Sequence, residues 1–501
     1  MQPAKAPAGT RQTGAGRRLP LYTPADPPGE TDLLKWPLLG PFLRWRHART
    51  ALQLPLLVLA VVMIGHGLFG PRLAPRNLAT LLTWVHYRGA LIIALLVAGN
   101  IFCMACPFML PRNLARRFVT PTRHWPRQLR NKGVAIALLV ATLFAYEAFD
   151  LWGSPWWTAW LIVAYFAAAL LVDSLFQQAP FCKWVCPIGQ FNFIAATVSP
   201  LEVRVSDPTV CASCTTLDCI RGTRDAEQPA LVVQRGCELA LFQPRKRGNM
   251  DCTFCLDCVH ACPHDNVAIG VRLPGSELFT DPIRSGVGRL SQRPDLSLLA
   301  LVFTFGAILN AFAMVSPVYT FQRWVGSVTG TSSGIPGLGT LFVLALIVEP
   351  VVLVGLAAFI TRSATGTHQG LLPLATRFSY CLVPLGLGIW AAHYGFHLLT
   401  GLFTAVPVSH AALHDLGVVH TAPSWGVGGV PAAIARPIEI GLVGLGAVGS
   451  LLVAWRIAER EFPARAAVAF LPWAVLCAML WVAATWLMTL PMEMRGSVMG
   501  A

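Results

Sequence analysis

Twelve of the fourteen cysteines fall between residues 103 and 262, in tight groups. Cysteines spread along a chain suit disulfides, whereas close C-x2-C and C-x3-C pairs suit metal ligation by thiolates. The run MDCTFCLDCVHACP holds Cys252, Cys255, Cys258 and Cys262, with Pro263 directly after the last. Loops this short let three thiolates wrap one face of an iron–sulfur cubane. The fourth usually reaches the other cluster of a two-cluster protein. A zinc site would need neither this spacing nor the proline. The run therefore predicts a [4Fe–4S] cluster.

A second group comprises Cys211, Cys214 and Cys219, with Cys237 further on. Its spacing departs from the regular run by two residues, and its fourth member is displaced. We expect crossed ligation. Cys211, Cys214, Cys219 and Cys262 would hold one cluster, and Cys237, Cys252, Cys255 and Cys258 the other. An uncrossed arrangement stays open, as does a zinc ion at Cys211, Cys214, Cys219 and Cys237.

A third group lies in two Cys-Pro motifs. FCMACPFMLPRN carries Cys103 and Cys106, and FCKWVCPIGQ carries Cys182 and Cys186. In each, the proline turns the chain out of a helix. Both motifs fall at the same predicted membrane face, so four thiolates can converge there. They would hold a further Fe–S cluster or act as redox dithiols. The plain alternative is that buried cysteines are small hydrophobes. We take that reading for Cys381 and Cys477, which stand alone in apolar segments.

The elements that must position these groups are apolar. Only 12% of the 501 residues are charged, 55% are hydrophobic and mean hydropathy is +0.58. That composition predicts a mainly α, polytopic membrane protein. Nine spans of membrane length are expected, at about 51–70, 79–102, 133–152, 155–176, 296–315, 337–360, 376–402, 432–455 and 466–490. With the N-terminus inside, 32 of the 38 lysines and arginines fall in inner segments. The charge bias thus predicts a bacterial cytoplasmic membrane protein, N-terminus in and C-terminus out. It also accounts for the net charge of +14 without nucleic acid. Residues 1–50 read as a partly disordered cytoplasmic tail without a signal peptide. Residues 51–200 form a four-helix membrane unit. Residues 201–293 form an inserted cytoplasmic α+β segment with two clusters, and residues 294–501 a five-helix membrane unit.

Ionisable residues within predicted spans are the remaining candidates, because such groups are costly in lipid and usually face a site. His66, His86, Arg88, His393 and His397 fall toward the outer side, and Glu349 lies midway along the sixth span. Glu147 and Asp150 are candidate partners for Arg88. His410, His414 and His420 follow in an outer loop. A His or Arg that holds a carbonyl and a carboxylate that exchanges its proton would suit a quinone. A haem b between histidines of two helices is a further option, though no spacing demands it. A structural ion pair explains each residue equally well.

The two Cys-Pro motifs followed by CTFCLDCVHACP resemble the membrane-bound polyferredoxins. That group includes NapH, the C-terminal half of NosR and the CcoG/RdxA proteins. The resemblance covers roughly residues 50 to 320. It implies two [4Fe–4S] clusters and membrane electron transfer at the quinone pool, as a quinone-linked oxidoreductase or an electron-transfer subunit with a redox partner protein. The first Cys-Pro motif is C-x2-C-P where the family usually has C-x3-C-P, and the last four helices extend beyond the family pattern. Two other functions stay open. One is copper reduction or assembly of a respiratory copper enzyme, with Met488, Met492, Met494, Met499 and the outer histidines as soft and borderline ligands. The other is an Fe–S redox sensor.

Overall fold

The structure, a computed structural model, describes residues 31–225, 227–228 and 232–492. Among the described residues nine apolar helices fall at the expected spans, α1 (Ala48–Phe69), α2 (Leu78–Ala98), α3 (Gly133–Ala148), α4 (Pro155–Leu175), α5 (Pro294–Phe312), α6 (Ile335–Thr365), α7 (Leu371–Thr400), α8 (Ala432–Glu461) and α9 (Pro463–Thr489), and a short apolar helix, Ile101–Ala115, follows α2. Eight are long and apolar enough to cross a membrane, and α3 stops at 16 residues. It ends early because Asp150 takes a left-handed conformation, φ 45°, two residues past its last turn.

Local chemistry sets the other boundaries. The Asn77 side chain accepts from the Ala79 amide at 2.9 Å and caps α2. Ser154 caps α4, with Pro155 in the first position, where a missing N–H costs nothing. Two helices carry a wide π turn, Leu82–Tyr87 within α2 and Leu344–Val348 within α6. The second precedes Pro350, whose ring removes a helical hydrogen bond.

Helices α5 and α7 form the interior, with 72% and 83% of their apolar windows buried. The Trp390 indole N–H of α7 donates to the Phe303 carbonyl of α5 at 2.8 Å. On its other side the Leu385 amide donates to Ser450 of α8 at 2.9 Å. A helix apolar on every face belongs in such a place.

The helices alternate in direction. Residues at one end of α2, α7 and α8 meet the polar segment 201–293: Asn100 contacts Cys252, and Arg377 contacts Leu278, Phe279 and Glu461. At the opposite end His66 of α1 meets Leu78 of α2, and Val315 past α5 bridges Met492 past α9.

The polar segment contains β1 (Leu201–Val205), β2 (Thr223–Arg224), β3 (Val232–Gln234) and β4 (Val267–Val271). Strands β1 and β4 pair antiparallel, Leu201 opposite Val271, and β2 pairs with β3. The expected inserted domain does not fold around a core of its own. Leu239, Met250 and Phe254 share one apolar cluster with Leu95, Phe193 and Phe303 of the membrane part.

Residues 31–50 also differ from the tail that composition suggests. Leu33–Lys35 and Leu39–Arg44 are short helices, Asp32 bridges Gly270 of β4, and Arg44 pairs with Asp265 at 2.9 Å. Leu33, Leu34 and Leu43 are buried, which anchors a stretch that looks polar overall. Residues 1–30 lie outside the described residues.

Candidate metal centre

The first group of thiols borders one cavity. Cys211, Cys214, Cys219 and Cys262 line it together with Val205, Leu217, Phe242 and Pro263. The Asn266 amide donates to Cys262 Sγ and its side-chain Nδ2 to Cys211 Sγ, both at 3.4 Å. Cys237 is not part of that lining.

Cys237 turns the other way. Its thiol lies within electrostatic reach of Cys252, Cys255 and Cys258, and its sulfur accepts from the Leu241 amide at 3.4 Å. Its own amide donates to the Cys219 carbonyl at 2.9 Å, which sets the two groups back to back. Cys262 thus lies with Cys211, Cys214 and Cys219, and Cys237 with Cys252, Cys255 and Cys258.

The backbone shows why the irregular spacing fits. Leu217 and Leu256 both adopt left-handed conformations, φ 56° and 60°, and each starts a short helix, Asp218–Arg221 and Asp257–Ala261. Leucine rarely takes this conformation, so its recurrence marks a constraint. Both sit in the triplet Leu-Asp-Cys, at 217–219 and 256–258. The two extra residues, Thr215 and Thr216, lie between Cys214 and that triplet. Asp251, Phe254 and Asp265 are left-handed as well and curl the chain around its thiols. The triplet repeat was a readable signal that cysteine spacing alone hid.

The third group shares another cavity. Cys103, Cys106, Cys182 and Cys186 line it with Phe102, Phe108, Phe181 and Asn192. Cys186 caps the buried helix Pro187–Ala195, its sulfur accepting from the Gly189 amide at 3.2 Å. Asn192 Nδ2 donates to Cys103 Sγ at 3.5 Å, and the Cys182 thiol approaches Met109 Sδ at 3.6 Å. Glu238 and Thr253, the neighbours of Cys237 and Cys252, complete this lining. Among the described residues no three Cys, His, Asp or Glu side chains close on a single-ion geometry. Thiols around an apolar volume, with N–H groups aimed at sulfur, are the donor set that suits a cubane.

Buried charges brace this end. Arg112 bonds Asp173 at 3.1 Å and Glu238 at 2.8 Å, Lys132 bonds Asp251 at 2.5 Å, and Arg49 reaches Asp257 at 3.3 Å. Burial alone would push the Glu238 carboxyl up, but Arg112 and Arg49 hold it well below the usual range. Burial pushes the Cys255 and Cys258 thiols well up. Glu277 accepts from the amides of Asn249 at 2.7 Å and Met250 at 3.0 Å and pairs with Arg272 at 2.9 Å. It thereby fixes the turn before Cys252. Gly248 has φ +69°, and a Cβ there would strike the Glu277 carboxylate. Gly99, φ +66°, admits the Phe254 ring, which would stand 2.6 Å from a Cβ.

The other candidates are more dispersed. His393 and His397 are buried, with ring centroids 5.0 Å apart. They lie one turn apart on α7, so they cannot clasp one haem iron from opposite faces. His86 Nε2 lies 3.2 Å from the Leu402 carbonyl. His66 Nδ1 accepts from the Leu78 amide at 3.1 Å, a helix-capping role. The Arg88 guanidinium lies over the rings of Trp84 and Tyr146, both at 4.3 Å, and of Tyr394 at 5.0 Å. Glu147 is within electrostatic reach of the same Tyr394, and His393 packs beside it at 5.5 Å. Glu349 is not part of this cluster; it lines a shallow apolar groove with Leu341, Val348 and Val352.

Glu439 of α8, only 2% exposed, was not singled out from the sequence, though a carboxylate set between Ile438 and Ile440 in an apolar stretch was the signal. His410 faces Thr421 at 3.0 Å and His414 faces Asp415 at 3.8 Å. Met488 is buried in the helix core, and Met494 and Met499 lie outside the described residues. Cys381 and Cys477 do not stand alone, since their side chains come within hydrogen-bonding reach between α7 and α9.

Part of this chain is similar to NosR. The regulatory protein NosR of Pseudomonas aeruginosa is 28% identical over 188 residues, 33% of this chain and 24% of that protein. An uncharacterized protein of Methanocaldococcus jannaschii is 24% identical over 196 residues, 37% of this chain and 69% of that one. The chain thus spans only about a quarter of the length of NosR. No family model matches, and no solved structure matches. The eight long apolar helices and the partial NosR likeness together support a multi-pass membrane protein.

Proposed function

We propose that this chain is an integral membrane electron-transfer protein that exchanges electrons between the quinone pool and a redox partner protein. Twelve cysteines in three sets of four, in series, carry the reading. The Cys237 amide joins the first set to the second through Cys219. Asn100 joins the second to the membrane helices, donating to the Cys252 carbonyl at 3.0 Å, and Cys103 lies within electrostatic reach of Cys252.

In this reading Cys211, Cys214, Cys219 and Cys262 hold one [4Fe–4S] cluster, and Cys237, Cys252, Cys255 and Cys258 the other. Cys103, Cys106, Cys182 and Cys186 hold a third or work as dithiols. Such clusters supply one-electron storage and release. The protein's part is to exclude water with Phe102, Phe108 and Phe254 and to fix the thiols through Asn192, Asn266 and Glu277. Arg88 in its ring of Trp84, Tyr146 and Tyr394 suits a quinone carbonyl, with His393 and Glu147 near enough to the same ring to serve proton exchange. In this reading the cysteine end lies in the cytoplasm, which the lysine and arginine bias supports. The partner meets the first set, whose cysteines are all partly exposed.

Iron and acid-labile sulfide on anaerobically purified protein test the reading. It requires about eight irons per chain, or about twelve with the third set loaded. Stoichiometric zinc with no sulfide overturns it.

A further inference from the structure

The two thiol sets of the polar segment sit in opposite electrostatic surroundings. Around the second set, each acid has a cation: Asp257 has Arg49, Asp251 has Lys132, and Glu238 has Arg112. Two further ammonium groups are left over. Lys183 is 8% exposed, and its Nζ donates to the Leu239 carbonyl at 2.9 Å, two residues from Cys237. Lys246 is 7% exposed and donates to the carbonyls of Val203 at 2.5 Å and Gly248 at 2.7 Å. Neither forms an ion pair with a carboxylate among the described residues. Lys183 lies within electrostatic reach of Cys237, and Lys246 of Cys258.

Burying a cation without an anion is costly. Four thiolates on a cluster would supply that anion. Among the described residues no lysine or arginine stands out beside Cys211, Cys214 or Cys219. Asp207 lies within reach of Cys211 and Asp218 within reach of Cys214, while the donor to its sulfurs is the neutral Asn266.

We infer that Lys183 and Lys246 are positioning residues that hold the second set's cluster at a more positive reduction potential than the first's, so that electrons fall from the solvent-facing site toward the membrane. The inference rests on the reading that both sets hold clusters. An added electron is an added negative charge. Burial opposes it and neighbouring cations favour it.

The test is an EPR-monitored redox titration of the full chain in detergent. Cys219→Ser and Cys255→Ser assign the two signals. The signal altered by Cys255→Ser should have the higher midpoint. Lys183→Met and Lys246→Met should each lower that midpoint and leave the other in place. At the wild-type midpoint, the reduced-to-oxidised ratio of that signal should fall about tenfold. Lys246→Arg, which keeps the charge, should restore it, and unchanged iron content reports an intact site. A higher midpoint for the first set, or equal shifts of both signals in the Met variants, overturns the inference. Iron and sulfide below two clusters per chain overturns the underlying cluster reading instead, and the inference with it.

Discussion

The two ends of the helix bundle are built differently. At one end, cysteines from five stretches of chain collect into three sets, held by backbone hydrogen bonds and buried ion pairs. At the other, histidines stay apart. His66 caps a helix, His86 meets a carbonyl, and His393 and His397 pack on each other. Arg88 gathers neighbours there, and those are aromatic rings. The difference separates two kinds of evidence. Convergence of several ligating groups on one space points to a prosthetic group, whereas polar residues at similar depth in a membrane do not by themselves make a site.

The comparison is easiest to break at the cysteine end. Cys255→Ala should remove about four irons. Cys237→Ala should remove the same spectral signal, and Cys262→Ala the other one. If Cys237 and Cys262 exchange these effects, the sets are uncrossed. Next in size is Glu277→Gln, which strips the charge that holds Asn249, Met250 and Arg272. It should cost about 3 kcal/mol, read as a lower unfolding temperature in detergent. Burial raises the Glu277 pKa, but Arg272 and Arg284 lower it further, so it sits below its ordinary value. Its contribution is therefore complete above the ordinary glutamate range and is lost as pH falls through the lower folded value. The variant should lack that acid-dependent loss.

At the opposite end Arg88→Lys should slow electron exchange with a menaquinone analogue about tenfold, on the scale of a desolvated cation–π contact, with iron content unchanged. The smallest effect is expected of His66→Gln. Loss of its cap bond to Leu78 should cost about 1 kcal/mol and leave electron exchange as it was. Slower exchange in that variant would mean that the dispersed histidines do form part of a site.

The same contrast explains what the sequence discloses. Eight of the nine expected spans were readable because a spanning helix needs a long apolar stretch that little else imitates, whereas the helix expected at 133–152 stops at 16 residues. The cysteine sets were readable because close spacing restricts which sulfurs can meet. Residues 31–50 were misjudged because their prolines and arginines masked three buried leucines. The buried cations were hidden for a related reason. Arg112, Lys132, Lys183 and Lys246 look like ordinary basic loop residues, yet all four are interior and hold the thiol sets together. Counting them toward membrane orientation is sound, but it says nothing of that second role. Glu349 and Glu439 show the limit for single groups. Both are carboxylates in apolar helices, and only packing reveals that Glu439 is enclosed while Glu349 borders a shallow groove.

Electron exchange between the cysteine sets and quinone is the central claim. The direct measurement is anaerobic. The clusters are reduced with stoichiometric dithionite, a menaquinone analogue is added, and the Fe–S absorbance is followed. The account predicts reoxidation by quinone alone, and a marked slowing in Cys103→Ser and Cys186→Ser with the irons of the polar segment retained. Clusters that stay reduced in excess quinone, or that reoxidise equally fast in both variants, would contradict it.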